Sequence, residues 1–160
     1  MNEEFLNVMS STAHYMLSQM KDLKDLKAMR GMMSLLLVLC RNMEDIAPRN
    51  ASKKAQARAN ELNLGDLRQY HFDNGSKFPG GRKSSLLHWE HWKPAADMRN
   101  ELLSLGEATI QDVKSIISQT KICWILLEEN KALDLLGQRT KRRDPLEAYS
   151  LAKIELYYDW

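Results

Sequence analysis

Within thirteen residues the chain places Arg82, Lys83, His88, Trp89, Glu90, His91, Trp92 and Lys93, closed by Pro94. Titratable groups this close together among large apolar ones are the pattern of a reactive site. Two glycines, Gly80 and Gly81, lie ahead of the stretch, so residues 84–92 read as a short strand. Side chains then alternate. Arg82, His88, Glu90 and Trp92 share one face, and Leu87, Trp89 and His91 share the other. Residues two apart on a face lie about 6–7 Å apart along the strand. His88 and Glu90 therefore reach a common ligand, water or metal ion. Glu90 favours the charged imidazole of His88, and a histidine poised near neutral pH moves protons at a reacting centre. The candidate catalytic residues are His88, Glu90 and His91. The competing reading is a half-exposed strand whose polar residues face water.

Glu128 and Glu129 follow directly on the apolar run 122–127. Carboxylates at the exit of a buried strand suit a hard cation, so Glu90 and Glu128 are candidate ligands for Mg²⁺ or Mn²⁺. The alternative is the first turn of a helix, where acidic residues are favoured anyway. A second cationic stretch holds Arg139, Lys141, Arg142 and Arg143 in five residues. Gly137 before it and Pro145 after it make it a loop. Together with Arg82, Lys83 and Lys93 these are the candidate nucleic-acid contacts. Lys77 and Phe78 add to a pattern of cations interleaved with aromatics, which suits stacked bases. The same tryptophans also fit an ordinary core.

Charge is uneven. Residues 48–99 carry 10 Lys and Arg against 5 Asp and Glu, whereas 1–47 carry 5 against 6 and 100–160 carry 8 against 10. A locally basic region attracts a polyanion even when the total is only +2. The motifs of P-loop, dinucleotide-fold, serine-elbow and cysteine-nucleophile enzymes do not occur. No zinc spacing is present, and Cys40 and Cys123 sit inside apolar runs as expected of free thiols in a reducing compartment. The acidic start lacks a leader pattern, and the longest apolar run is about half what a bilayer requires. The expectation is a cytoplasmic protein with no membrane partner.

The elements that must position these residues are mostly helical. Asn2 caps an apolar series through Phe5, Met9, Ala13, Met16 and Met20, and a second series runs from Leu23 to Met43. One bent helix or two joined near residues 21–25 fit equally. Asn50 is placed to cap a polar, basic helix over 51–62, and residues 64–82 read as a loop around a short element. Pro94 starts a helix to about Leu105, with Gly106 past its end. Thr109 and Asp112 resemble a capping box, with Ile110, Val113, Ile116 and Ile117 on one face. Residues 122–127 read as a buried strand, 128–136 as a helix closed by Gly137, and 145–152 as another helix. The alternating tail 154–160 suggests an edge strand.

Arg82 and His88 have an arginine, five residues, histidine spacing that resembles the signature of HEPN ribonucleases. That resemblance implies a helical, metal-independent RNase, although Gly80 and Gly81 precede the arginine here. Glu90, His91 and Pro94, with Asn100 downstream, are similar to the start of a ββα-metal (HNH-type) nuclease motif. That similarity implies a metal-dependent nuclease, but no later histidine follows His91.

The sequence thus predicts a helix-rich α+β fold of five to seven helices and two or three short strands, with an all-α bundle as the alternative. It is read as one domain over 1–160, with an N-terminal helical pair (1–47), a basic centre (48–99) and a mixed region (100–160). The expected function is binding of RNA or DNA, with a His/Glu-based nuclease as its catalytic form. The alternative is a non-catalytic interaction protein that docks on a partner or a second copy through its Met-rich N-terminal helices. Eight of the nine methionines fall in the first 43 residues, where they serve equally as core filler.

Overall fold

The computed structural model describes residues 2–45, 47–71, 86–139, 142 and 144–160. Among them lie seven α-helices and three strands. In chain order these are α1 (Glu3–Lys21), α2 (Leu26–Asn42), β1 (Arg49–Ala51), α3 (Lys53–Glu61), β2 (Leu87–His91), α4 (Ala95–Ser104), α5 (Ile110–Ile117), β3 (Ile122–Leu126), α6 (Leu127–Leu135) and α7 (Pro145–Leu151). The fold is the helix-rich α+β class that the patterning predicts, not the all-α alternative. The chain divides into two compact units that alternate along the sequence. Met1–Ala47 joins Lys93–Thr120, and Pro48–Trp92 joins Lys121–Trp160.

The first unit is all helix. Two helices open it, because Asp25 caps a new start by accepting from Lys27 N at 2.8 Å. Asn2 caps α1 through Phe5 N at 3.1 Å. Helix α1 packs on α5 and α2, α2 on α4, and α4 on α5, which closes a ring of four. Into it project Leu6, Ala13, Leu36, Leu39, Cys40, Met43, Met98, Leu102, Val113 and Ile117. Met9 and Met16 pack against this core, so these methionines fill gaps as adaptable side chains do. Pro94 stands one position earlier than predicted, at the N-cap of α4 with extended ψ of 135°. Thr109 and Asp112 form the predicted capping box of α5.

The second unit is built on a three-stranded sheet in the order β1-β3-β2. Strand β1 runs parallel to β3, with Ala51 beside Trp124. Strand β2 runs antiparallel to it, with His88 beside Ile125 and Glu90 beside Cys123. Central β3 is apolar throughout because both of its faces are covered. Cys123 and Ile125 pack with Trp92, Leu133, Ala148, Tyr149 and Ile154. On the other face Trp124 meets the edge of Trp89, ring centroids 4.8 Å apart, and Trp124 Nε1 donates to Tyr70 O.

Two expectations fail here for one reason. Asn50 does not cap the third helix; it lies in β1, and its side-chain amide holds the chain's tail by donating to Tyr158 O and accepting from Tyr158 N. Ser52 caps α3 instead, accepting from Ala55 N at 3.0 Å. The tail makes no strand but a strap: a single bridge joins Ser52 to Leu156, and Tyr157 N donates to Ala51 O. The strap occupies the outer edge of β1, a row of backbone groups that would otherwise be open to pairing. β1 itself escapes the sequence reading, since three residues are too few to show a period.

Candidate active site

His88 and Glu90 lie on the Cys123/Ile125 side of the sheet, as alternation along β2 requires. His88 is half-exposed, with 36% of its side chain open to solvent, and its Nε2 stands 3.3 Å from Glu90 Oε2. Glu90 is buried. Its Oε1 accepts from Arg142 Nη2 at 2.6 Å. The Arg142 side chain is wholly buried. It also donates from Nη1 to His91 O and Trp92 O, both at 2.9 Å, and from Nε to Gln138 O at 3.0 Å. Four of its five N–H groups are thereby used, which is the condition for burying a guanidinium.

Burial alone pushes the Glu90 carboxyl up. The contact with His88 and the charge and hydrogen bond of Arg142 outweigh it, and Glu90 is held below the ordinary carboxylate range. The result is a chain of three groups running from the core to the surface: a fixed cation, a fixed anion and an imidazole at the boundary. With Nε2 turned to Glu90, Nδ1 is the ring nitrogen left for a proton or a ligand. Beneath the chain lie Cys123 and Tyr149. Burial pushes both well above their usual range, so they stay neutral and are not nucleophiles. In the first unit burial pushes the Cys40 thiol up to about 12, which likewise leaves it unreactive.

Other predicted site residues fall elsewhere. His91 lies on the opposite face of β2 and does not join His88 and Glu90. Arg142 was expected to contact phosphate; it is instead the internal strut of the site, because a carboxylate buried in a strand requires a cation. Lys93 belongs to the first unit, where it donates to Glu101 at 2.5 Å and to Gln119 Oε1 at 2.7 Å, an internal tie of that unit. Arg139 remains at the surface, 68% open and 3.6 Å from Asp134. Arg82, Lys83, Lys141 and Arg143 lie outside the described residues, as do Lys77 and Phe78.

The expected metal pair is not assembled. Both oxygens of Glu90 are engaged by His88 and Arg142, while Glu128 stands exposed in the first turn of α6. Among the described residues no three His, Cys, Asp or Glu side chains gather as a metal set. The two nuclease resemblances also meet obstacles. His88 sits on a strand where the HEPN pattern implies a helix, and Asn100 belongs to the other unit from Glu90 and His91.

Sequence reasoning missed a second buried polar pair. Ser52 Oγ donates to Glu129 Oε2 at 2.6 Å, and the same oxygen accepts from Leu126 N at 2.8 Å. The pair ties the start of α3 to the start of α6. Its only signal was that Glu129 lies three residues beyond the end of a strand, where a helix would begin.

No family model, curated protein or solved structure matches the chain. The functional reading therefore rests on the chemistry of the site. Among the described residues, no helix is long and apolar enough to cross a membrane.

Proposed function

We propose that the sheet-bearing unit binds nucleic acid and cleaves its phosphodiester bonds with His88 as the general base. The observation that carries this reading is the half-exposed His88 backed by the buried, ionised Glu90. Such a carboxylate fixes the ring and its tautomer and stabilises the imidazolium once the proton arrives. In the reaction His88 Nδ1 takes the proton of the attacking hydroxyl or water, the new O–P bond forms, the ester O–P bond opposite it breaks, and the departing oxygen takes a proton from water. Glu90 touches His88 and not the substrate, so it and Arg142 are positioning residues.

Two further features favour a polyanionic substrate. The sheet-bearing unit carries 15 Lys and Arg against 11 Asp and Glu. Cations also lie over aromatic rings near its surface: Arg68 is 3.5 Å from the Tyr158 ring centroid, and Lys121 Nζ is 4.8 Å from that of Trp160. Paired rings and cations of this kind receive stacked bases.

The test is fluorescence anisotropy with labelled single-stranded RNA and duplex DNA across a salt series, with products run on a denaturing gel, with and without Mg²⁺. The expected result is binding that weakens steeply with salt, and cleavage that drops about 10²–10⁴-fold in His88→Ala at unchanged affinity. Absence of binding to either probe at low salt overturns the whole reading. Binding without cleavage by the native chain removes the catalytic part.

A further inference from the structure

We propose that a separate cavity in the sheet-bearing unit binds a guanine nucleotide. The cavity, about 470 Å³ in volume, is lined by Arg58, Leu86, Leu126, Leu127, Glu128 and Lys131. That is within the range that takes a small molecule. It opens at the carboxyl end of β3, beside the start of α6. In α/β folds the crevice beyond the carboxyl ends of parallel strands is where ligands bind, and β1 and β3 are parallel and each followed by a helix.

The lining divides by chemistry. Leu86 and Leu127 are both strongly exposed, at 49% and 41%. They are held side by side because Leu127 N donates to Leu86 O at 2.8 Å. With Leu126 they make an apolar wall open to solvent, a surface that a flat ring would cover. Glu128 rises beside that wall and makes no hydrogen bond or ion pair among the described residues. A free carboxylate at the rim of an apolar slot accepts hydrogen bonds only. Guanine offers it two parallel donors, N1–H and the N2 amino group. Adenine offers a single amino group beside an acceptor, and the acceptor repels the carboxylate. Lys131, one turn further along α6, has no ion-pair partner among the described residues, while Arg58 enters from α3 and also meets Glu61. These two cations supply a site for the phosphate. Apolar wall, carboxylate and paired cations together match base and phosphate of one nucleotide. The inference does not rest on His88: this cavity shares no residue with the proposed active site.

Titration calorimetry of the full chain with GMP, AMP and inorganic phosphate tests it. GMP is expected to bind more tightly than AMP by about tenfold or more, the usual worth of a good bidentate base contact. Glu128→Gln should erase that preference, and Lys131→Glu should weaken both nucleotides at least about tenfold through loss and reversal of a phosphate charge. Both residues are exposed, so circular dichroism and melting should match the native chain. His88→Ala should leave the titration unchanged, which separates failure here from failure of the cleavage reading. The proposal is overturned if GMP shows no binding at millimolar concentration, if AMP binds equally well, or if either substitution leaves GMP affinity intact.

Discussion

The two units handle polar groups in opposite ways. In the helical unit the buried polar side chains answer to local backbone: Ser10 donates to Leu6 O and Thr120 to Ile117 O, and among the described residues no charged side chain is buried there. In the sheet-bearing unit the core holds Arg142 against Glu90 and Ser52 against Glu129. Their charge balance differs too, with 8 Lys and Arg against 10 Asp and Glu in the helical unit and 15 against 11 in the other. Burying a charge costs more than burying a leucine and offsets that cost only when every bond is made. One such pair in the sheet-bearing unit stands against the half-exposed His88. The core of the helical unit, by contrast, is apolar, and its ion pairs, such as Lys93 with Glu101, lie outside that core.

The largest effect expected from breaking this contrast is at Arg142. Arg142→Met strands Glu90 as an uncompensated buried anion and should destabilise the protein by about 3–5 kcal/mol, read from urea unfolding. Adding Glu90→Gln to Arg142→Met should recover most of the loss, because the orphaned charge is gone. No recovery would mean that Arg142 acts through packing and not through charge. The pH dependence follows with a definite sign. Glu90 is held below the ordinary carboxylate range in the fold, so its contribution is complete above its unfolded value of about 4.3–4.5. It is lost as pH falls through the lower folded value. Stability should drop on acidification below pH about 4.5, and the drop should shrink in the Glu90→Gln/Arg142→Met double variant.

Much of this architecture was legible in the sequence, and the exceptions have a common cause. Alternation along 84–92 put His88 and Glu90 on one face and His91 on the other, because period-two geometry is local. The apolar run from 122 and the Thr109 cap were legible for the same reason. What stayed hidden needs partners distant in sequence. Arg142 looked like one of four loop cations; that it turns inward depends on Glu90, 52 residues earlier. Asn50 looked like a cap because the tail it holds lies 108 residues away. The tie from Lys93 to Gln119 was hidden because its partner is 26 residues on. Local propensity cannot rank such contacts, and a long-range bond overrides it wherever the group is buried.

The counterpart in the helical unit is Leu36, fully buried among Leu6, Cys40 and Met98. Leu36→Ala should cost about 2–5 kcal/mol by removing transfer energy and leaving a cavity. No polar second substitution should rescue it, and the loss should not vary between pH 5 and 8. A Leu36→Ala variant that grew markedly worse on acidification would show a buried charge in this core as well, and the contrast between the units would fall.

The smallest effect tests how much of the helical unit is local. Thr109 Oγ1 accepts from Asp112 N at 3.2 Å, and Asp112 Oδ2 accepts in return from Thr109 N at 2.8 Å. The Thr109 hydroxyl, which also donates to Asp112 Oδ2 at 2.7 Å, and then the Thr109 N–H hold the Asp112 carboxyl below its usual range. The box satisfies donors at the start of an eight-residue helix, which is too short to persist on propensity alone. Thr109→Ala should cost about 1 kcal/mol. Thr109→Ser keeps the acceptor and should cost less. If both substitutions are silent in urea unfolding, α5 is fixed by Val113, Ile116 and Ile117 in the ring of helices and its cap is redundant. A full loss for alanine with little for serine shows the local signal legible in the sequence to be one that the fold uses.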